Sequence, residues 1–284
     1  MKYWQVLSLV DLGELPTLAR HAEDLGFEGV ALGDHLITYE TQYQPYDYSK
    51  DNVVLWYPET HWPDVWVQIA ALAQVTSRLK FTTGVYVLPL RDPFTAAKAI
   101  STAAFIAGNR VSVGVGVGWQ KDEFELVGQS FADRGRRTDE MLDILPRLMA
   151  GEMFDYEGEF YSFPRLQMSP GVTGIPIYIG GVSPAAFRRA ARHDGWIGPA
   201  VAMDDLPGYM AALEREREAA GRLGQPFEKM VSLYDYSEEA IGRAREMGVT
   251  SIQRSAWLDE NGRASRMTLA EKLNDMDRFA KMFL

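Results

Sequence analysis

A chain of 284 residues, 46% hydrophobic and 24% charged, has the make-up of a globular protein, and its net charge of −10, offset by no run of Lys or Arg, argues against a nucleic-acid partner. The absence of cysteine excludes disulfides and thiolate metal sites. No segment approaches the roughly 20 apolar residues of a membrane span, and the first residues read as a strand with no signal peptide ahead of it, so the expected location is the cytoplasm.

Tyr3–Val10 is apolar and rich in β-formers, and Leu15, Leu18, Ala19, Ala22 and Leu25 follow at helical spacing until Gly26 stops them. Gly29–Gly33 is the next strand and Asp64–Thr76 the next helix, with Val65, Ile69, Leu72 and Ala73 on one face. The loop of about thirty residues between them has a length that is rare without a function. It carries Tyr39, Tyr43, Tyr46, Tyr48, Trp56, Tyr57 and Trp62, enough aromatic surface to cover an apolar ligand or to pack on itself.

Phe81–Leu88 is the third strand and Phe94–Ala107 the third helix, stopped by Gly108-Asn109. In the fourth strand, Arg110–Trp119, period two sends Gly114, Gly116 and Gly118 to one face. That face is left bare either for a cofactor or for a bulge or close strand crossing. A helix over Arg134–Met149 precedes an insertion, Gly151–Pro176, whose Phe154–Phe163 stretch reads as a hairpin turning near Glu157-Gly158. Ile177–Ile179 then ends in Gly180-Gly181, with Ser183 and Pro184 opening a helix to Arg192. Strands at Gly195–Ile197, Met230–Tyr234 and Thr250–Arg254 alternate with helices at Asp204–Gly221, Glu238–Met247 and Leu269–Phe283.

Eight strand–helix pairs in one pass predict a (β/α)₈ TIM barrel over residues 1–284, with loop insertions at about 34–63 and 150–176. The doubly wound open sheet fits less well, because the glycine run lacks the dinucleotide spacing and its acidic partner. A barrel places its active site where strands end, and there His35 follows Asp34. Imidazole titrates near neutral pH, so His35 is the candidate for proton transfer; the alternative is a histidine satisfied by its own loop. Asp34 either orients His35 or meets a ligand ring. Gly180-Gly181 ahead of Ser183 offers free N–H groups to a phosphate, unless Ser183 merely caps the helix.

The remaining titratable groups carry less. Glu123 and Glu125, just beyond Trp119, either supply a carboxylate to the site or stand as solvated charges on a first exposed turn, the commoner case; His21 reads as a surface residue, His193 as a cation at a helix end, and His61 as a side chain within reach of substrate. No histidine pair has metal spacing, so no metal site is expected. A cofactor-free hydrolase would need two convergent carboxylates at strand ends, and only Asp34 is so placed.

Asp34-His35, Thr83-Gly84-Val85, Gly108-Asn109-Arg110-Val111 with Gly114–Trp119, Arg134-Gly135, Ile179–Gly181 and Asp194-Gly195-Trp196, in this order, resemble the luciferase-like flavin monooxygenase superfamily. The likeness is greatest to its branch that uses the deazaflavin coenzyme F420. It covers the chain from about Gly13 to Trp196 and past Gly221 rests on element order. The resemblance implies a cofactor across the C-terminal mouth, touching Asp34, His35, Gly84, Val85, Val115, Gly116, Gly118, Gly180, Gly181 and Ser183. It places His35 near the hydride-accepting carbon and a non-prolyl cis peptide at Gly84-Val85 behind the ring. Val117 stands where sugar-phosphate-oxidising members carry a glutamate, which argues against that substrate.

Hydride transfer between F420 and an organic small molecule is the implied reaction, with a homodimer as the implied assembly. FMN is the alternative cofactor, which would imply an oxygenase served by a separate flavin reductase, and a non-catalytic flavin carrier is the competing class. Arg91 and Arg254, near strand ends, are the candidates to hold the acidic tail of F420.

Overall fold

The computed structural model describes every residue except Tyr43, Gln44, Asp47, Tyr48 and Lys50, so what the sequence suggests for Tyr43 and Tyr48 lies outside the described residues. Strand β1 (Lys2–Val6) leads to α1 (Leu15–Leu25), β2 (Gly29–Leu32), α2 (Val65–Ala73), β3 (Lys80–Thr83), β4 (Tyr86–Val87), α3 (Pro93–Ile106), β5 (Val111–Gly116), α4 (Lys121–Leu126) and α5 (Arg134–Ala150). An antiparallel hairpin, β6 (Phe154–Glu157) with β7 (Ser162–Leu166), occupies the second expected insertion. The alternation resumes with β8 (Ile177–Gly180), α6 (Pro184–Ala190), β9 (Gly195–Val201), α7 (Leu206–Ala219), β10 (Glu228–Leu233), α8 (Glu238–Glu246), β11 (Ser251–Arg254) and α9 (Leu269–Phe283).

Local chemistry sets these boundaries. Asp64 accepts from the N–H groups of Trp66 and Val67 to open α2, Asp92 from those of Phe94 and Thr95 to open α3, and Thr268 with Glu271 forms a capping box on α9. Gly26, at φ 91°, ends α1 in the left-handed conformation that a Cβ disfavours.

Neighbouring strands run β3-β2-β1-β11-β10-β9-β8-β5, all parallel, and β3 pairs with β5 to close the (β/α)₈ barrel. The third strand is broken, against the continuous Phe81–Leu88 expected. The chain leaves the ladder after Thr83, passes through a cis peptide at Gly84-Val85, and rejoins β5 at Tyr86. Side chains alternate across the wall. Tyr3, Phe81, Val115, Ile179 and Ile252 enter the core beneath the helices, whereas Trp4, Ile197 and Met230 pack together inside the barrel. Among the described residues no helix is long and apolar enough to cross a membrane.

The glycine run does not present a bare face, and this corrects the first of its two sequence readings. A Cβ on Gly114 would lie 2.0 Å from the Thr83 carbonyl oxygen and 2.6 Å from Ile197, and one on Gly116 would lie 2.4 Å from Val85. Gly118, beyond the strand at φ 83°, faces Phe124 and Val87. The glycines therefore admit a close strand approach and the Val85 side chain, the alternative that glycine in strands also marks.

Gly114→Ala is expected to destabilise the protein by about 3 kcal/mol or to prevent its accumulation, because the obstructing atom is backbone and cannot rotate away. Gly208→Ala on α7 meets nothing within 4 Å and is expected to be neutral or stabilising by up to about 1 kcal/mol. Thermal melts of the two variants check both statements; equal melting temperatures would show that β5 tolerates the added methyl.

Candidate active site at the C-terminal mouth

His35 leaves the end of β2 beside the first turn of α4, which brings Glu123 against it. Glu123 Oε1 lies 3.2 Å from His35 Nδ1 and accepts the Leu36 N–H at 2.7 Å. Its side chain is only 2% exposed, so the sequence reading of a solvated charge is corrected. One carboxylate oxygen fixes both the imidazole and the backbone that carries it. With Nδ1 donating to that oxygen, the lone pair sits on Nε2, which has no hydrogen-bond partner among the described residues.

Three tryptophans enclose the imidazole. Ring centroids of Trp56, Trp62 and Trp119 lie 4.6, 4.9 and 6.1 Å from that of His35. Trp56 is held by a hydrogen bond from its Nε1 to Thr38 Oγ1 and by edge contact with Trp62, and Tyr46 stacks edge-on against both Trp56 and Trp119. The cavity lined by Thr38, Gln42, Val54, Trp56, Trp119 and Asp122 measures about 20 Å³, little more than a water occupies. The described part of the aromatic loop thus packs on itself and on His35 together.

Asp34 does not orient His35. Arg91 grips both of its oxygens, at 2.6 and 2.8 Å, and the Val87 N–H donates to Oδ2 at 2.9 Å. Burial alone would pull the Arg91 guanidinium down; the hydrogen bonds and charge of Asp34 raise it instead, and Arg91 also lies over the ring of Tyr86. Burial pushes the Tyr86 phenol up to about 12, so it remains protonated. Arg91 is consequently engaged, and so is Arg254, which pairs with Asp275 and donates to Gln5.

The other sequence candidates separate. Gly84 is exposed in the mouth, while the Val85 side chain nests between Gly116 and Gly180, where added Cβ atoms would meet it at 2.4 and 2.7 Å. Val115 is buried beneath the helices, so only its backbone borders the mouth. Gly181, at φ 108°, accepts from Trp196 Nε1 through its carbonyl. Ser183 Oγ accepts from Ala186 N–H at 3.2 Å, the capping reading of that residue. His61 Nδ1 accepts from Leu12 N–H and His21 pairs with Asp277. His193 is not a cation at pH 7, because burial pushes it down to about 4.

Sequence reasoning undervalued one group and missed another. Glu123 ranks as a solvated charge in the sequence because its partners, the His35 imidazole and the Leu36 N–H, lie far away along the chain. Gln253 escaped because it looked like one polar residue in a short strand, although period two placed it on the inner face beside its register partner Trp4.

A closed parallel barrel with a histidine–carboxylate pair and an exposed glycine at its C-terminal mouth defines a (β/α)₈ protein whose site is built on strand ends. The chain belongs to the luciferase-like monooxygenase family, whose family model matches residues 4–278. It is 35% identical over 254 residues to an uncharacterized protein of Mycobacterium tuberculosis (strain H37Rv), covering 89% of this chain and 88% of that one. It is 28% identical over 238 residues to the F420-dependent hydroxymycolic acid dehydrogenase of the same organism, covering 81% and 61%. An FMNH(2)-dependent dimethylsulfone monooxygenase of Pseudomonas fluorescens is 32% identical over 130 residues, covering 44% and 35%. Among solved structures, the monooxygenase RslO1 of Streptomyces bottropensis superposes with a TM-score of 0.77 at 21% identity, covering 100% of this chain and 98% of that one, a likeness of fold.

Proposed function

We propose that the protein is an oxidoreductase that binds deazaflavin coenzyme F420 across the barrel mouth and transfers hydride between it and an organic small molecule. The observation that carries this reading is the His35–Glu123 pair beside an exposed Gly84. A Cβ on Gly84 would meet only Ala31 and Gln253, each at 3.7 Å, so the floor there is shallow enough for a flat ring to rest on main chain. A bound deazaflavin supplies the hydride chemistry.

The chain supplies the rest. Gly84 and Val85 would support the ring, and His35 Nε2 exchanges the proton that accompanies hydride transfer while Glu123 keeps Nδ1 protonated. Trp56, Trp62 and Trp119 limit water at the imidazole. The F420-dependent dehydrogenase among the relatives supports this choice of cofactor.

A second reading has its own support. Arg91 and Arg254, the sequence candidates for an acidic tail, are both held in ion pairs, which favours the smaller FMN and with it an oxygenase served by a separate reductase. Titrating the apoprotein with each cofactor and following ring fluorescence decides between them. The expected result is saturable binding tighter than about 1 mM, with F420 ahead of FMN. The reverse order selects the oxygenase, and failure to bind either would end the oxidoreductase reading.

A further inference from the structure

Gln253 is 5% exposed, and its Nε2 has no hydrogen-bond partner among the described residues. An orphaned buried amide is costly to the folded protein, so such a group in a native site points to a partner that arrives later. Its surroundings say where that partner sits. From β11 the side chain reaches across the barrel to Gly84, with Nε2 3.7 Å from the position a Cβ would take there. The strand end that carries it is fixed, since the Tyr236 hydroxyl donates to the Gln253 carbonyl at 3.0 Å and contacts Ser255 Oγ at 2.9 Å. Its register partner Trp4 offers a second group without a partner among the described residues, an indole N–H that can only donate and so cannot accept from the Gln253 Nε2–H.

We propose that the Gln253 carboxamide binds the pyrimidine edge of the cofactor ring, a role that rests on the function proposed above. That edge, common to flavins and deazaflavins, alternates carbonyl acceptors with an N–H donor. A carboxamide carries a donor and an acceptor on one carbon, so it meets a neighbouring carbonyl and N–H together, and half a turn about its last bond exchanges the two. Gln253 is thereby a binding and positioning residue: it sets how far the ring slides toward β11, and hence how the reacting carbon stands against His35. No proton or hydride passes through it.

The test compares wild type with Gln253→Met, which keeps length and removes both polar atoms, and with Gln253→Glu, which keeps shape and removes the donor. Each apoprotein is titrated with F420, FMN and riboflavin by ring fluorescence, and the absorption of the bound ring is recorded. Both variants are expected to bind about tenfold more weakly, equivalent to about 1.4 kcal/mol. The factor is the same for FMN and for riboflavin because the contact is with the ring and not the phosphate, and the bound absorption maximum moves. The ligand-free Gln253→Met protein is expected to melt a few degrees higher, because the orphaned amide is gone. Unchanged affinity and spectrum in both variants, or a loss seen with FMN but not riboflavin, overturns the assignment while leaving the cofactor reading intact. A wild type that binds none of the three overturns both.

Discussion

Replacing His35 by Ala is expected to lower turnover by about 10²- to 10⁴-fold, the usual contribution of a positioned proton-transfer group, while cofactor affinity changes less than about threefold. The split follows from geometry. Nδ1 is committed to Glu123 and Nε2 is the free end, so the imidazole offers one site of proton exchange and little binding surface. Glu123→Gln should fall between wild type and His35→Ala. A carboxamide oxygen still accepts the Leu36 N–H that anchors the loop, but the charge that stabilises a protonated imidazole is gone. Single-turnover rates measured at saturating cofactor separate the effects. If His35→Ala keeps turnover within threefold of wild type, the imidazole is a structural member of the tryptophan cage and the barrel is better described as a carrier.

The barrel was legible because eight alternations of period two and period 3.6 leave few other closed arrangements, and caps such as Asp64, Asp92 and Thr268 mark helix starts on the sequence itself. His35 was legible from its place after a strand. Its carboxylate partner was not, since Asp34 adjoins it in sequence while Glu123 meets it only after the chain has gone through two further strand positions. Adjacent residues on an extended backbone point to opposite sides, and this sends Asp34 toward Arg91 and Val87 as it sends His35 to the mouth. The choice between the two readings of the glycine run was closed to the sequence for a related reason. Composition shows where a Cβ is absent but not which neighbour fills the gap, and Val85 arrives there only because the third strand breaks at Gly84.

Arg91→Met is expected to destabilise the protein by about 3–5 kcal/mol, the magnitude found when one partner of a buried ion pair is removed. The Asp34 side chain is 2% exposed and that of Arg91 16%, so the carboxylate left behind could not recover its hydration, and among the described residues only the Val87 N–H would still reach it. In a domain of this size that corresponds to a fall in melting temperature of about 10 °C. Arg91→Lys should recover part of it, because an ammonium restores the charge but not the two-pronged contact with both oxygens. The double variant Asp34→Asn with Arg91→Met should be more stable than Arg91→Met alone, since the uncompensated charge is then absent. That ordering separates a desolvated charge from mere lost packing: were packing the cause, removing the charge of Asp34 would bring no recovery. The same measurement bears on the site, because Asp34 is bonded to His35 and Val87 follows the Gly84-Val85 turn. Where the double variant refolds but turns over slowly with cofactor affinity reduced, the ion pair is shown to hold the two sides of the mouth in register as well as to stabilise the barrel.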